Sequence, residues 1–535
     1  MTMNPISQEP RNSGGAFSRR TLLQVGGTAA FLGLGALTAC TGKGGAGGQS
    51  SGGATPVRGG SLRVGATSGG SGDTLDAQNS LTTVDFIRAG ALFEQLVMMN
   101  GATGRPELVL AESIEPNADA TEWTIRVKPD IKFHNGKTLT SDDVLFSLRR
   151  IEQNKFPGLS SIGPIDLASA KVVDPRTLRI PFTAPFAIFV EGLADGFTTR
   201  IVPQGYDPAK PVGTGPFKFG SFTPGQRSSF PRFDEYWQNG QPYLNELVII
   251  NFADETAQIN ALQSGQIDLV NQLSSTSVAA VKSGGGKVVV SKTRGFVPLT
   301  MRVDTEPFSD VRVRQALRLL VNRDDLNEQV YGGLGEVGND IYGAIDTAYE
   351  GTVPQRKQDL DQARSLLRAA GHSDLQIELV AAPTGPGAVA IASVFATQAK
   401  QAGVTVNIRT EESTQFWSQS YGKAAFTQSF WNTASYLTCA SQGIADGAPF
   451  NEIHQNDPTW QSTYAKALAT VDKNARDELV KELMKFDYEK GGYIIPVYFP
   501  GIEGMTSRVG GVSENITGIP INGGSGWQNI WLQGS

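Results

Sequence analysis

Side chains that could carry out acid–base, nucleophilic or metal chemistry are scarce in this chain. Its 535 residues include three histidines, His134, His372 and His454, and two cysteines, Cys40 and Cys439. No CxxC or HExxH spacing is present, so no local pattern brings thiolates or imidazoles together around zinc. His454 lies among polar residues and is the one histidine that we consider as a possible contact to a metal or a ligand. Because no such motif is present, we expect no metal site, no cofactor and no catalytic centre.

Three short patterns match catalytic or nucleotide-binding signatures, but each lies in the wrong context. Residues 48–52 (GQSSG) fit the nucleophile-elbow pattern, yet no predicted strand precedes them and no helix follows. Residues 136–138 (GKT) match the end of a phosphate-binding loop, but Ile131 stands where the first glycine is required. Residues 333–338 (GLGEVG) follow a predicted helix rather than a strand, which indicates a helix-terminating loop.

The N-terminal segment has the features of an export signal. Arg19 and Arg20 precede an apolar, glycine-rich stretch over residues 25–38. That stretch is shorter than the roughly 20 apolar residues that span a bilayer. The paired arginines within residues 18–23 (SRRTLL) resemble the twin-arginine signal, which exports proteins already folded. We predict a signal peptide over residues 1–39, with a short membrane anchor as the alternative.

Cys40 comes directly after the small residues that end this signal. Residues 37–40 (LTAC) resemble a bacterial lipobox, in which the cysteine thiol takes a diacylglyceryl group and becomes the new N-terminus. The following residues are rich in glycine and serine, a composition typical of a flexible tether. We predict lipidation of Cys40 and a tether over residues 40–56, which hold the protein at the outer face of the cytoplasmic membrane or in the periplasmic space. An ordinary signal peptide cleaved near a chance cysteine is the alternative.

Composition and length limit the classes of protein to which the chain can belong. The 46 basic and 52 acidic residues of the full chain give a net charge of −6, and no basic stripe is present, which argues against a nucleic-acid partner. The length exceeds what one hydrophobic core usually serves, so we expect two or three lobes. No apolar run after the signal approaches the length of a membrane span. We expect an exported, monomeric and soluble body.

Strand and helix patterns alternate along this body. Residues 375–380 alternate apolar and polar positions, residues 388–402 favour a helix that ends at Gly403, and residues 404–408 alternate again. A second set of segments repeats the scheme: residues 247–252, 255–264 and 267–270. Such strand–helix–strand units predict an α/β fold with parallel sheets and helices on both faces.

A series of motifs covers nearly all of the chain from Gly59 to about Gly511. In order, they are LAES at 110–113, WTIRVK at 123–128, IKFHNGKTLTSDDV at 131–144, VGTGPF at 212–217, DEYW at 234–237, ALQSGQID at 261–268 and PFSDVRVRQA at 307–316. Together they resemble the signature of extracellular solute-binding protein family 5. The resemblance is to the dipeptide- and oligopeptide-binding receptors of ABC importers.

The motifs have structural explanations, so they identify a fold rather than a ligand. Residues 140–143 (TSDD) form the pattern of a capping box that opens a helix. Gly213 and Gly215 permit a tight turn before a predicted strand that carries Phe217 and Phe219.

The resemblance implies a bilobal periplasmic-binding-protein-like type II fold with an extra third lobe and two crossings between the main lobes. We place the crossings near residues 291–302 and 493–498. The implied boundaries are residues 57–95, 196–295 and 495–535 for lobe I, 96–195 for the extra lobe, and 296–494 for lobe II. Ligand would lie between the main lobes, and their closure would present it to the membrane permease.

The resemblance also implies a ligand site around Trp431. Peptide-binding relatives carry an aspartate three residues after this tryptophan, and its carboxylate pairs with the α-ammonium group of the ligand. Ala434 occupies that position here. Loss of a hydrogen bond to a charged group removes about 1.5–3 kcal/mol, which weakens the peptide interpretation. Glu411, Glu412 or Asp446 could substitute.

Matching position and side-chain type predict the ligand-binding residues Leu81, Thr82, Thr83, Phe296, Arg302, Trp431, Asn432, Thr433, Ser435 and Tyr436. Neutral hydrogen-bonding groups beside aromatic rings also suit an oligosaccharide or another uncharged polar solute. Two alternatives stay open: Trp431 and Tyr436 could pack in the core of a lobe, and Arg302 could form a hinge salt bridge. We expect Trp417 and Trp460 to be packing residues on helices.

These inferences favour a lipid-anchored receptor of an ABC importer that binds peptides or peptide-like solutes and delivers them to permease subunits. A receptor for an oligosaccharide or another non-peptide solute is the alternative within that class. From other classes, we consider a sensory or chaperone-like lipoprotein and a secreted hydrolase. A hydrolase would require a clustered nucleophile and base, which the three histidines do not provide.

Overall fold

The computed structural model describes residues 55–534, apart from residues 68, 81, 196, 197 and 525. The predicted signal peptide, Cys40, Leu81 and nearly all of the predicted tether therefore lie outside the described residues. Among those that are described, no helix combines the length and apolar character needed to cross a bilayer.

The strands are β1 (Ser61–Ala66), β2 (Val97–Met99), β3 (Pro106–Leu108), β4 (Ala111–Pro116), β5 (Glu122–Val127), β6 (Lys171–Asp174), β7 (Thr177–Pro181), β8 (Ser221–Thr223), β9 (Arg227–Pro231), β10 (Glu246–Asn251), β11 (Leu269–Val270), β12 (Lys287–Phe296), β13 (Leu299–Met301), β14 (Glu336–Val337), β15 (Gln376–Ala381), β16 (Thr405–Thr410), β17 (Phe426–Gln428), β18 (Tyr493–Ile494), β19 (Val497–Met505), β20 (Val509–Gly510) and β21 (Trp531–Leu532).

The α-helices are α1 (Thr83–Leu92), α2 (Ser141–Asn154), α3 (Leu159–Ile162), α4 (Phe189–Asp195), α5 (Glu255–Gln263), α6 (Val278–Ser283), α7 (Val311–Leu319), α8 (Arg323–Tyr331), α9 (Leu360–Ala369), α10 (Ala388–Lys400), α11 (Ser413–Gln415), α12 (Tyr436–Gly443), α13 (Pro458–Leu468), α14 (Lys473–Lys490) and α15 (Pro520–Gly523). A π-helix covers Phe416–Ser420, and 3₁₀ turns cover Ser275–Ser277 and Trp527–Asn529.

The first large sheet has eight strands, in the order β12-β19-β11-β1-β10-β9-β8, with β14 paired to β19. β1 lies between β10 and β11 and is parallel to both, and α5 connects those two strands. This arrangement confirms the strand–helix–strand unit predicted for residues 247–270. The sheet is mixed rather than parallel throughout, because β8 and β9 form a hairpin and the long strands β12 and β19 pair antiparallel.

The second large sheet has five strands, in the order β16-β15-β17-β13-β18. β15 and β16 are parallel and are connected by α10, as the pattern of residues 375–408 predicts. β13 pairs antiparallel with β17 and β18, so this sheet is mixed as well. Gly403, just after α10, has a φ of +83°, which a glycine adopts without strain.

A smaller antiparallel sheet, β4-β5-β7-β6, lies within residues 96–195, the range predicted for the extra lobe. α2 packs beside it and begins with the predicted capping box of Thr140 and Asp143. Val144, Leu148 and Ile151 are fully buried, as their helical spacing predicts. The apolar core of this region continues into buried side chains of α12, α13 and α14.

The chain passes between the two large sheets at two adjacent points. β12 ends at Phe296 in the first sheet and β13 begins at Leu299 in the second; β18 ends at Ile494 in the second sheet and β19 begins at Val497 in the first. These positions confirm both predicted crossings. The crossings lie side by side, because Phe296 pairs with Tyr498 in the antiparallel ladder of β12 and β19.

A buried charge cluster fixes the second crossing. The Asp340 carboxylate accepts hydrogen bonds from Arg323 at 2.6 Å, from Arg356 at 2.8 Å and from the backbone N–H of Ile495 at 3.0 Å. Burial alone would raise the pKa of Asp340, but the two guanidinium groups hold it below its usual value. The ion pairs therefore attach α8 and the segment before α9 to the crossing.

Two arginines of the PFSDVRVRQA motif reinforce the same region from α7. Arg314 donates to the carbonyl oxygen of Lys490 at 2.6 Å, and Arg318 donates to that of Tyr493 at 2.9 Å. Both side chains are buried, and they satisfy carbonyl groups at the end of α14 and in β18. These two arginines of the motif thus have a structural role.

Gly213 and Gly215 have a different role from the one predicted. Phe217 forms only an isolated bridge with Arg232, and the strand that follows the glycines, β8, begins at Ser221, so the predicted strand is displaced toward the C-terminus. The glycines instead allow a close approach to the C-terminal end of α1. A Cβ atom would lie 2.0 Å from the Leu92 carbonyl oxygen at Gly213 and 2.6 Å from the Leu92 carbonyl carbon at Gly215.

His134 attaches the FHNG turn to this glycine loop. Its Nδ1 accepts from the backbone N–H of Gly213 at 3.2 Å, and its Nε2 lies 3.0 Å from the carbonyl oxygen of Gly215, to which it donates. One nitrogen accepts and the other donates, so the ring is a neutral imidazole. Burial lowers the pKa of His134 from 6.5 to about 4.

This histidine predicts a loss of stability in acid. Between pH 6.5 and 4 the unfolded chain binds a proton at residue 134 that the folded chain excludes, so the free energy of unfolding falls as the pH is lowered. The contribution lost over this window is about 3 kcal/mol. Urea unfolding of the wild type and His134→Gln at several pH values measures it. Their difference in stability should shrink toward pH 4, and parallel curves for the two proteins would contradict the assignment.

Candidate functional site

Two cavities lie beside the crossings, and the first of them also reaches the smaller sheet region at Pro157, Ser160 and Ser161. Their volumes are about 330 Å³ and about 600 Å³, and Phe430 lines both. The first cavity is lined by aromatic side chains and by neutral polar ones: Phe86, Trp417, Tyr421, Phe430, Trp431, Phe450, Ser80, Ser160, Ser161, Thr198, Ser429, Asn432, Thr433 and Gln442. The second is lined by residues that include Thr83, Glu255, Tyr331, Gly385 and Pro500.

The segment between β17 and α12 forms one wall of the first cavity, and the crossings hold it in place. Trp431 and Phe296 exchange two backbone hydrogen bonds, at 2.9 and 3.0 Å. The Phe430 ring stacks on Phe499 of β19, with 5.6 Å between ring centroids. Because Phe296 ends one crossing strand and Phe499 lies in the other, the position of this wall depends on both.

Thr433 connects the same wall to the first large sheet and to the C-terminal segment. Its hydroxyl oxygen accepts from the backbone N–H of Arg294 at 3.0 Å and donates to the carbonyl oxygen of Ile516 at 2.7 Å. Trp431, Asn432 and Thr433, three of the predicted ligand-binding residues, are therefore brought together on one wall of the cavity.

A buried carboxylate lies directly behind the Trp431 indole. Glu452 accepts from the indole Nε1 at 2.9 Å and from the Tyr493 hydroxyl at 2.7 Å. Burial raises the pKa of Glu452, while hydrogen bonds from Ser429, Trp431 and Tyr493 favour its charged form. A Cβ atom at Gly443 would lie 2.6 Å from Trp431 Cζ2, on the benzene part of the indole. The indole is thus confined by both Glu452 and Gly443.

Of three other predicted residues, one lines the second cavity and two support neighbouring parts of the structure. Thr83 lines that second cavity. The Thr82 hydroxyl accepts from the backbone N–H of Asp85 at 3.2 Å and caps α1. Phe296 is buried and supports Trp431 through its backbone. Leu81 lies outside the described residues.

The side chains of Ser435 and Tyr436 line neither cavity and pack elsewhere in the protein. The Ser435 and Thr438 hydroxyls are 2.7 Å apart in the first turn of α12. The Tyr436 ring is fully buried and stacks on Tyr342 with 4.5 Å between centroids, and its hydroxyl donates to Asp487 at 2.6 Å. This geometry corresponds to the alternative in which Tyr436 packs in a core.

Arg302 lines neither cavity. It forms an ion pair with Asp304 at 2.8 Å and donates to the carbonyl oxygen of Lys423 at 2.7 Å. The guanidinium group holds the pKa of Asp304 well below its usual value. His454 lies 3.1 Å from the same carboxylate and 2.9 Å from the carbonyl oxygen of Gly422. Among the described residues, no group of His, Cys, Asp and Glu side chains is arranged to hold a metal ion.

Sequence reasoning missed most of the aromatic lining. Trp417 was expected to pack on a helix, but 43% of its surface is exposed and it lines the first cavity, so that prediction is wrong. Trp460 is buried, as predicted. The four-residue spacing of Trp417 and Tyr421 on an otherwise polar segment is the signal that could have identified them. Phe450, in a loop, offers no comparable signal.

The acidic residues proposed as substitutes for the missing aspartate do not line either cavity. Glu411 is buried beside Arg409 and accepts from the Ser420 hydroxyl at 2.9 Å. Glu412 and Asp446 are exposed outside the two cavities. At the first cavity, the carboxylate that contacts the wall from behind is that of Glu452.

With this geometry in place, comparison with known proteins assigns a family. The model of the bacterial extracellular solute-binding proteins, family 5 (middle), matches residues 105–441. The chain belongs to this family. It is 25% identical over 468 residues to heme-binding protein A of Haemophilus influenzae, a match that covers 79% of this chain and 84% of that protein. It is also 25% identical over 470 residues to the dipeptide-binding protein of Escherichia coli K12, covering 78% and 86% respectively.

A solved structure supports the fold. The periplasmic binding protein DppA of Helicobacter pylori, an ABC transporter-associated protein in complex with the peptide STSA, matches with a TM-score of 0.74 at 19% identity. The match covers 89% of this chain and 99% of the DppA chain. It confirms the periplasmic-binding-protein-like type II fold.

The position of the Trp431 indole can be tested by a substitution at Gly443, which does not itself line the first cavity. Gly443→Ala places a methyl group against the back of the indole, so we expect the free energy of unfolding to fall by about 1–3 kcal/mol and tryptophan emission to shift. Urea unfolding followed by fluorescence measures both effects. Gly72→Ala is the control, because a Cβ atom there meets nothing within 4 Å. An unchanged Gly443→Ala protein would show that the indole is not confined there.

Proposed function

We propose that this protein is the lipid-anchored, extracytoplasmic substrate-binding protein of an ABC importer and that it binds peptides or peptide-like solutes. The observation that carries the proposal is the first cavity, which lies beside both crossings and is lined from separate parts of the chain. A solute held there touches groups on both sides of the crossings.

This placement suggests how binding is coupled to delivery. Closure about the two crossings, at residues 296–299 and 494–497, brings the cavity walls together around the solute and removes it from water. A solute that contacts both walls stabilises the closed form more than the open form and so shifts the equilibrium toward closure. The permease then accepts the closed form. No covalent step is required, and the protein acts as a receptor rather than an enzyme.

A non-peptide solute is the second candidate, and a specific observation favours it. Ala434 lines the first cavity, at the position where the family resemblance implies an ammonium-binding aspartate in peptide receptors. The neutral hydroxyl and amide groups around it suit an oligosaccharide or another polar solute. The names of relatives also differ in ligand, since one is a heme-binding protein and another a dipeptide-binding protein.

Native mass spectrometry of the purified protein tests the ligand class directly. We expect a population that carries heterogeneous peptide masses, because a receptor that closes around its solute retains part of it during purification. Trp431→Ala, which removes one wall of the cavity, should lose these masses. A carbohydrate mass would overturn the peptide proposal in favour of the second candidate.

The lipid anchor can be tested apart from binding. Cys40→Ser removes the thiol that would be acylated, so we expect the protein to leave the membrane fraction while its affinity for the recovered solute stays within twofold of the wild type. Cell fractionation followed by titration of the purified protein measures both. Cys439→Ser is the control for loss of a cysteine and should stay with the membrane. Retention of Cys40→Ser in the membrane would contradict the anchor.

A further inference from the structure

The first cavity combines many aromatic side chains with the absence of lining charge. Six of its lining residues are aromatic, and no Asp, Glu, Lys or Arg side chain lines it among the described residues. In the described part of the chain only three aromatic side chains are classed as exposed, and two of them, Trp417 and Phe450, line this cavity at 43% exposure each. Aromatic surface left open inside a cleft indicates a ligand that covers it.

Behind this aromatic wall lies a carboxylate with no counter-ion. Glu452 is 1% exposed, and its hydrogen-bond partners are an indole and a phenol rather than a cation. Within the described residues no Lys, Arg or His side chain pairs with it. Because burial raises the pKa of Glu452, its carboxyl group is neutralised either by a proton or by a cation held nearby.

The unpaired carboxylate is connected to the cavity through three lining residues. The Trp431 indole donates a hydrogen bond to the Glu452 carboxylate. Hydrogen bonds from Ser429 and Tyr421 act to lower the pKa of Glu452. Burial and the Glu452 carboxylate together raise the pKa of Tyr421. The Glu452 carboxyl group therefore lies directly behind the wall that the solute contacts, and a cation held in the cavity would favour its charged form.

We propose that the first cavity binds a methylated ammonium group of the solute, held by the aromatic rings and neutralised by Glu452. This inference rests on the proposed receptor function and names the chemical group that its site takes. Aromatic rings attract an organic cation through their quadrupoles without hydrogen bonds, by about 2 kcal/mol when water is excluded. A primary ammonium group would instead need a carboxylate lining the cavity, and Ala434 lines it at the position where the family resemblance implies an aspartate. With a neutral sugar in the cavity, Glu452 would be neutralised by a proton instead of a cation.

Titration with a charged probe and its uncharged counterpart tests the proposal. The probes are choline and 3,3-dimethyl-1-butanol, which replaces the ammonium nitrogen by carbon, and binding to the solute-free mature protein is followed by calorimetry and tryptophan fluorescence. We expect choline to bind at least tenfold more tightly than the alcohol. Glu452→Gln should reduce that preference to less than threefold.

Two further variants keep the outcome interpretable. Glu94→Gln is the matched control, because Glu94 is also buried and accepts from a tyrosine hydroxyl at 2.7 Å and a tryptophan Nε1 at 2.9 Å, but lies outside the first cavity. It should retain the full preference for choline. Trp417→Leu replaces a ring that is 43% exposed and should weaken choline binding about tenfold, even if Glu452→Gln fails to fold.

The results separate this inference from the proposed function. Equal binding of the two probes, binding of neither, or an unchanged preference in Glu452→Gln and Trp417→Leu would each overturn the ammonium assignment. Binding of Ala-Ala but not of choline or N-acetyl-Ala-Ala would overturn it too, while leaving the peptide receptor intact. The receptor function itself fails only if native mass spectrometry recovers no solute of any class.

Discussion

The antiparallel pairing of β12 with β19 is the constraint on which the rest of this structure depends. These strands lead directly into both crossings, so the relation between the two large sheets is set by two chain segments that lie side by side. Asp340 attaches the second crossing to Arg323 and Arg356 through buried ion pairs. Such a pair contributes little net free energy when intact, but removal of one partner leaves a buried charge unpaired, at a cost of about 3–5 kcal/mol.

The same two strands determine where the cavity wall lies. Phe296 holds the backbone of Trp431, and Phe499 supports the Phe430 ring. A movement at the crossings therefore reaches the wall through packed rings and hydrogen bonds, without an intervening flexible segment. Under the proposed function, this connection would let one surface both recognise a solute and report its presence to a permease. The lipid anchor proposed at Cys40 would keep that surface close to the membrane.

The sequence predicted the fold well where local patterns determine it. The capping box at Thr140 and the periodicity of residues 375–408 each specify an element from neighbours in the chain, and the structure contains both. The crossings followed from the family resemblance. Gly213 was misread because its requirement comes from Leu92, which is far away in sequence, and not from a local turn.

The candidate site was less predictable for the same physical reason. Trp431, Asn432 and Thr433 were found through a motif, but Trp417 and Phe450 reach the cavity only through tertiary packing. Tyr436 follows the motif directly, yet the start of α12 turns its ring into a core against Tyr342. Glu452 could not be found, because a carboxylate without a local partner is ordinarily a surface residue.

The most direct test of the account is a crystal structure of the solute-loaded protein. The account predicts solute density in the first cavity, in contact with Trp431 and Trp417 on one side and with Ser80 or Thr198 on the other, with the two large sheets closed about the crossings. Solute bound on an outer surface, or in the cavity with no change at the crossings between the free and loaded forms, would contradict it.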